Sequence, residues 1–315
     1  MYITDLLKKR TDRINRKAPL SDNQYDQMIP CFEASAKIPK NIFQICLSGG
    51  NTSFYDVISD LSPDFMENIE QLKQNNPDYK YHLISDKEAR QFIIQYYGNT
   101  VWSYYQRIDD DYLAAKADLL RYLLLYALGG VYLDLKSTIA RPLSDVIRDT
   151  DRFFVFYWDN MPNGQRHYLV PEYATKGEML QGFIISARGH FFLRKVILNV
   201  LKKIDQYNPY IDGVGWEGTL KTTGPIIYLE TIHSEIHLCQ DQSCYREDKP
   251  FKNFGFRLSF AGTYTPGHYQ KRLSMKDYRK SSRPVVVCSK RCLQMANICW
   301  LKILWFYREK VNECA

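Results

Sequence analysis

Apolar positions change period several times along this chain. Ile38 to Leu47 (IPKNIFQICL) is a short apolar run that stops at Ser48-Gly49-Gly50, the pattern of a buried strand feeding a glycine loop. Phe65 to Asn75 has helical spacing and halts at Asn76-Pro77, Tyr79 to Ile84 alternates as a strand, and Asp86 caps a further helix through Tyr97. The strongest stripe lies in Asp111 to Leu128, with Leu113, Ala117, Leu120, Leu124 and Leu128 on one helical face. Gly129-Gly130 ends it, because glycine takes the left-handed cap conformation without a Cβ clash. Val131 to Leu133 is then a short strand with Asp134 at its carboxyl end. Arg152 to Trp158 and Gly182 to Ser186 predict core strands, Phe191 to Ile204 a helix, and Thr223-Gly224-Pro225 the opening of another. Strands alternating with helices predict an α/β fold with a largely parallel sheet.

Residues 1–37 are polar and basic and predict a helix followed by an irregular lead-in. The central unit spans 38–270. From 271 to 315 the chain passes from basic KRLSMKDYRKSSRP to a Cys- and Trp-rich amphipathic helix, read as an extension packed on the main unit or touching a membrane through 292–310. Packing on the sheet is the favoured of these two.

Composition narrows the class. At 315 residues, with 45% apolar and 24% charged residues, the chain can bury a sizeable core and is not a disordered one. The formal charge, 42 − 35 = +7, suits an anionic small ligand, but the basic residues are dispersed and no nucleic-acid motif is present, so a nucleic-acid partner is excluded. The 24 tyrosines fit a sugar or nucleotide site and fit base composition equally well. Neither a secretory signal nor a membrane span is visible, and eight scattered cysteines do not form a disulfide framework. The expectation is a cytoplasmic protein, peripheral to the inner membrane face at most, with reduced thiols.

The chemistry-bearing pattern is acid–helix–GlyGly–strand–acid. Asp118 and Arg121 are three apart and share a helix face, while Asp134 ends the following strand, where open α/β sheets bind ligands. An Asp/Arg pair can accept from sugar hydroxyls and offer a fixed donor fork. A strand-end carboxylate can accept from a ribose or hold a cation bridging two phosphates. On spacing alone, a surface ion pair and a turn aspartate explain the pattern as well.

KADLLRYLLLYALGGVYLDLKS, residues 116–137, resembles the core block of glycosyltransferase family 32, and also the catalytic domain of the large clostridial glucosylating toxins. Three weaker blocks follow the same order: IPKNIFQICLSGG (38–50), LQGFIISARGHFFL (180–193) and TTGPIIYL (222–229). The resemblance implies the GT-A fold, a Rossmann-like mixed and mainly parallel sheet with added helices. It implies transfer of a hexose from a nucleoside-diphosphate sugar to a hydroxyl of a glycan, lipid-linked or protein acceptor, with retention at the anomeric carbon. A UDP-sugar is favoured over a GDP-sugar, and surface-polysaccharide synthesis in a bacterium, or a viral enzyme, fits a chain read as having no anchor. Asp118 and Arg121 would hold the donor sugar, Asp134 would contact the ribose and support Mn2+ or Mg2+, and Gly49 and Gly50 would lie near the nucleotide. Gln181, before Gly182-Phe183, is the expected group on the opposite sugar face.

Two positions depart from that pattern. Lys136 stands where the second acid of the DxD sequence ligates the metal, and an ammonium cannot ligate a cation. Lys136 either replaces the metal by pairing with the diphosphate, or points away while other oxygens complete a site, or marks a catalytically inactive nucleotide-sugar- or glycan-binding module on the same fold. Cys46 stands where a base-stacking Trp is usual, and Phe43 where His is usual. Elsewhere, His233, His237, Cys239 and Cys244 match no standard zinc spacing and are read as an ordinary helix with buried thiols. His268 falls roughly where a diphosphate-closing His is expected, without matching surroundings.

Overall fold

Alternation within the short strands sorts their side chains onto two faces. The computed structural model describes residues 20–50, 52–53, 55–56, 59, 61–158, 178–236, 239, 244–260 and 283–287. Its main sheet has the order β2-β1-β3-β5, with β1 Asn41–Ile45, β2 Lys80–Ile84, β3 Gly130–Leu133 and β5 Phe183–Ser186. β1 pairs in parallel with β2 and β3, whereas β5 runs antiparallel to β3, Leu133 facing Phe183. Phe43, Ile45, Tyr132 and Ile184 point into one core cluster, and Ile42, Val131, Leu133, Phe183 and Ile185 into the other. Both faces are therefore covered, as a mainly parallel sheet requires. The α/β class with a mixed, mainly parallel central sheet is the one the sequence predicts.

Helices α1 (Asp22–Met28), α2 (Pro63–Asn75), α3 (Asp86–Arg107) and α4 (Leu113–Leu128) precede β3. Helices α5 (Phe191–Gln206), α6 (Pro209–Asp212), α7 (Gly215–Thr222) and α8 (Pro225–Ile236) follow β5. α4, LAAKADLLRYLLLYAL, is buried nearly all round and lies between the sheet and α5. Such a helix can carry charged groups only if they are paired. Its exit to β3 is built on Gly129, at φ 64°, where an added Cβ would lie 2.5 Å from the Arg188 nitrogen and 2.7 Å from Pro39. The first stretch of α3 ends at Gly98, whose φ of 74° breaks the helix just after the predicted end at Tyr97, and a second helical stretch continues to Arg107; the N-cap is Ser85 instead of Asp86. Asp86 turns its carboxylate to the glycine loop, accepting from the Ser48 nitrogen at 2.9 Å and the Thr52 hydroxyl at 2.6 Å.

Contacts far apart in sequence close the domain. Tyr25 of α1 is buried and donates to Asp205 at the end of α5, which also accepts from Tyr104 at 2.6 Å and pairs with Arg107. Residues 283–287 return to the loop before α4: the Asp109 nitrogen donates to the Val285 oxygen at 2.9 Å and the Val287 nitrogen to the Arg107 oxygen at 2.7 Å. Arg283 pairs with both Asp109 and Asp111 there. Residues 152–158 contribute only β4 (Phe154–Phe156), which is buried but pairs in parallel with β6 (Arg246–Asp248) in a separate two-stranded sheet. It touches the main sheet through a bridge from Phe153 to Ser186.

One sequence reading needs correction. Cys239 and Cys244 form a disulfide and are half-buried, so these two are not reduced buried thiols as the sequence led us to expect. The two cysteines, five residues apart, lie 6.6 Å from each other between Cα atoms, within the span that a disulfide bridges. The basic N-terminal segment to residue 19, His237, His268 and residues 288–315 with their Trp-rich pattern lie outside the described residues. No helix among the described residues is long and apolar enough to cross a membrane.

Candidate active site

Parallel strands β1 and β3 end on the same side of the sheet, and β5, running the other way, begins there. Asp134, Gln181 and Gly182 are thereby neighbours although 47 residues separate Asp134 from Gln181. The Asp134 nitrogen donates to the Gly182 oxygen at 2.9 Å. A Cβ on Gly182 would lie 2.8 Å from Asp134 Oδ2, so only glycine leaves the carboxylate its place. Gln44, a fully buried glutamine of β1, donates to the Asp134 main-chain oxygen at 3.1 Å and is held by the Tyr81 hydroxyl at 2.7 Å.

α4 brings Asp118 and Arg121 to this crest. Arg121 Nη2 pairs with Asp118 Oδ1 at 2.8 Å, and Nη1 lies 3.5 Å from Asp134 Oδ1 and donates to the Gln181 main-chain oxygen at 3.2 Å. The guanidinium also stacks 4.6 Å from the Tyr132 ring centre. Tyr132 in turn donates its hydroxyl to Asp134 Oδ1 at 2.8 Å. Asp118 Oδ2 accepts from the Thr223 hydroxyl at 3.2 Å. Asp134 Oδ2 has no described partner, and its side chain, at 26% exposure, is the wettest of the three.

Two carboxylates thus share one buried guanidinium, an arrangement one negative charge in excess. Burial pushes the Asp118 pKa up to about 6, against the pull of Arg121; the Asp134 charge adds to the rise and the Thr223 hydroxyl opposes it. Burial lowers the pKa of Arg121, but Tyr132, Asp118 and Asp134 outweigh it, so the guanidinium stays charged. Burial likewise keeps Tyr122 and Tyr132 protonated. A cluster of this kind can accept hydroxyl protons at two carboxylates while the guanidinium fixes their spacing.

The structure brings together Asp118, Arg121, Asp134 and Gln181 from the sequence-predicted set, and places Lys136 on the turn that follows Asp134. That turn is pinned by the Ser137 nitrogen donating to the Asp134 oxygen at 2.8 Å, and by the Phe260 nitrogen donating to the Lys136 oxygen at 3.0 Å. Gly49 (φ 81°) lies over Leu113 and the Asp110 oxygen at the foot of α4, and Gly50 faces open space. Cys46 is buried in an apolar cluster with Ile69, Leu83 and Leu135. Sequence reasoning missed Gln44, Tyr122, Tyr132 and the role of Thr223. Of these, only Gln44 left a signal, as the polar residue inside an otherwise apolar strand run.

Residues 62–154 match the family described as "Glycosyltransferase sugar-binding region containing DXD motif". The chain is 27% identical over 285 residues to the initiation-specific alpha-1,6-mannosyltransferase of Candida albicans, covering 80% of this chain and 68% of that protein. It is 29% identical over 160 residues to inositol phosphoceramide mannosyltransferase 3 of Schizosaccharomyces pombe, covering 50% of this chain but 37% of that one. Among solved structures, the PaToxG glycosyltransferase aligns over 87% of this chain and 95% of its own at 16% identity, with a TM-score of 0.44.

Proposed function

We infer that this chain, which carries the sugar-binding region of the DXD glycosyltransferases at residues 62–154, uses the Asp118–Arg121–Asp134 cluster to hold a nucleoside-diphosphate sugar and transfers its hexosyl group to an acceptor hydroxyl. The observation that carries this reading is the sharing of one buried guanidinium by two carboxylates, Asp118 of α4 and Asp134 at the carboxyl end of β3. A structural ion pair needs only one carboxylate; the second, with Oδ2 open, is what a hydroxylated ligand would engage. Asp118 and Arg121 take hydroxyls of the sugar, and Asp134 takes the ribose. The GT-A assignment and the unit spanning 38–270 are part of the same proposal.

The donor set does not fit a resident divalent cation. Asp134 is a single carboxylate whose Oδ1 is engaged by Tyr132 and Arg121, the position two residues on is Lys136, and no group of three or more His, Cys, Asp or Glu converges among the described residues. Lys136 is therefore assigned to the diphosphate as a point charge. In the transfer, the bond from the anomeric carbon to the diphosphate oxygen breaks with its electron pair, and the acceptor oxygen bonds to that carbon. The acceptor proton passes to the leaving phosphate when attack comes from the same face, a course that gives retention.

Both curated relatives described above are mannosyltransferases by name, which makes a nucleoside-diphosphate mannose the first donor to try, ahead of the UDP-hexoses favoured by sequence resemblance. The test is a thermal-shift panel of GDP-mannose and UDP-hexoses, each with manganese, magnesium or chelator. A donor at a hundred times its Kd should stabilise by about 2.7 kcal/mol. A shift that survives chelator supports Lys136 in place of a metal, and a shift that needs metal removes that assignment. Absence of a shift with every donor overturns the reading. Slow hydrolysis of the bound donor separates an enzyme from a binding module.

Donor binding should also depend on pH through Asp118, whose ionised form accepts from the sugar. With its pKa near 6, donor affinity should fall roughly tenfold from pH 7 to pH 5, and Asp118→Asn should flatten that slope. Stability runs the other way. Because the folded pKa is above the ordinary 3.8, this group's contribution is fully present below 3.8 and is lost as pH rises through about 6. Weaker binding at pH 5 with an undiminished melting point would isolate Asp118; a flat affinity profile would count against it.

A further inference from the structure

Granted that reading of the site, we propose that Tyr122 is a positioning residue that fixes the amide of Gln181 so that its carbonyl oxygen, not its NH2 group, faces the donor sugar. Tyr122 follows Arg121 on α4. It is fully buried, with its ring stacked parallel to Tyr228 at 5.6 Å. Its hydroxyl donates to the Thr223 main-chain oxygen at 2.9 Å, so the phenol proton is spent and the oxygen can only accept from a further partner. Gln181 Nε2 donates to that same phenol oxygen and to the Thr223 oxygen at 3.3 Å.

Two acceptors therefore claim the amide nitrogen, and a flipped amide would set its oxygen against both of them. Orientation here follows from hydrogen-bond chemistry. Gln181 Oε1 is consequently turned the other way. No described residue donates to it, and it is absent from the fully buried, unpartnered side-chain atoms, which are Asn68 Oδ1, Arg194 Nε and Thr222 Oγ1. The Gln181 main-chain oxygen meets Arg121, and the next residue, Gly182, lies under the Asp134 carboxylate, so Gln181 borders the donor cluster.

A carbonyl oxygen held at that place carries partial negative charge toward a sugar ring whose anomeric carbon becomes positive as the diphosphate leaves. The opposite orientation would oppose that charge. Thr223 joins the lock to the sugar site, since its carbonyl receives Tyr122 and Gln181 while its hydroxyl binds Asp118. None of this requires Tyr122 to touch the substrate.

The test is a double-mutant cycle of Tyr122→Phe and Gln181→Ala on the full chain. Turnover of a donor that shifts the wild-type melting point would be measured alongside that donor's Kd. Tyr122→Phe should lower kcat roughly tenfold while changing the Kd less than about twofold, and should add nothing once Gln181 is alanine. Additive losses, or full turnover in Tyr122→Phe, would overturn the proposal. Gln181→Glu serves where Tyr122→Phe does not fold. An ionised carboxylate cannot donate to Tyr122 and Thr223, whereas a protonated one can, so its turnover relative to wild type should recover as pH falls. A wild-type pH profile in Gln181→Glu would overturn the lock equally. If the wild type turns over no donor, the glycosyltransferase reading has failed; a lock failure leaves wild-type turnover intact.

Discussion

Asp134→Ala is expected to lower sugar transfer by roughly 10³-fold while leaving a folded protein with nearly its original melting point. The two halves of that expectation have different causes. Transfer fails because Asp134 Oδ2 is the open acceptor of the cluster, and nothing else described at the strand end replaces it. Lys136 offers only donors. Stability survives because the cluster holds one carboxylate more than its guanidinium can neutralise. Removing Asp134 leaves Arg121 paired with Asp118 at 2.8 Å, a neutral unit. The structural cost is the hydrogen bond from the Tyr132 hydroxyl, about 1 kcal/mol, together with a partly exposed space beside Gly182. Initial-rate transfer assays with a melting curve on the same preparation check both parts. Full activity in Asp134→Ala would remove the assigned site, and a collapsed melting curve would mean that Asp134 is chiefly structural.

Arg121→Ala should do the opposite to stability. It leaves two carboxylates facing each other on a buried helix and strand end, with Gln181 and Tyr132 losing their cationic neighbour. Breaking a buried pair by removing one partner costs about 3–5 kcal/mol, which should lower the melting midpoint by roughly 6–15 °C, and donor binding should be lost as well. Arg121→Lys is the informative companion. An ammonium restores charge but cannot reach Asp118, Asp134 and the Gln181 oxygen together, so it should recover part of the stability and little of the transfer. The damage in Arg121→Ala should also be smaller at low pH, where Asp118 is protonated and less charge is left unpaired. Calorimetry at pH 5 and pH 7.5 reads this directly; equal destabilisation at both would show that the guanidinium acts through packing alone.

Lys136 and Cys46 both depart from the resembling family, and their surroundings differ. Cys46 sits in an apolar cluster with Ile69, Leu83 and Leu135, so its exchange belongs to packing. Lys136 sits on the turn that carries Asp134, pinned through its main chain to Phe260. Sequence alone presents the two as equivalent anomalies.

Much of this protein is written locally. The runs at 38–47, 79–84 and 131–133, the stripe of α4 and its Gly129-Gly130 stop are short-range patterns, and each became the element that its period predicts. The placement of Asp118 and Arg121 on one helix face and of Asp134 at a strand end follows from the same arithmetic. Tertiary structure alone decided what those groups meet. Phe183–Ser186 reads as an apolar strand in either direction, and only its antiparallel pairing with β3 sets Gln181 and Gly182 beside Asp134. Thr223 reaches Asp118 across 105 residues, and Tyr122 reaches Gln181 across 59. The burial that raises the Asp118 pKa, and the Asp134 charge that adds to the rise, exist only once α4 is packed against β3. Periodicity reports which side of an element is apolar; partners, burial and charge balance arise from long-range packing, which no local pattern contains.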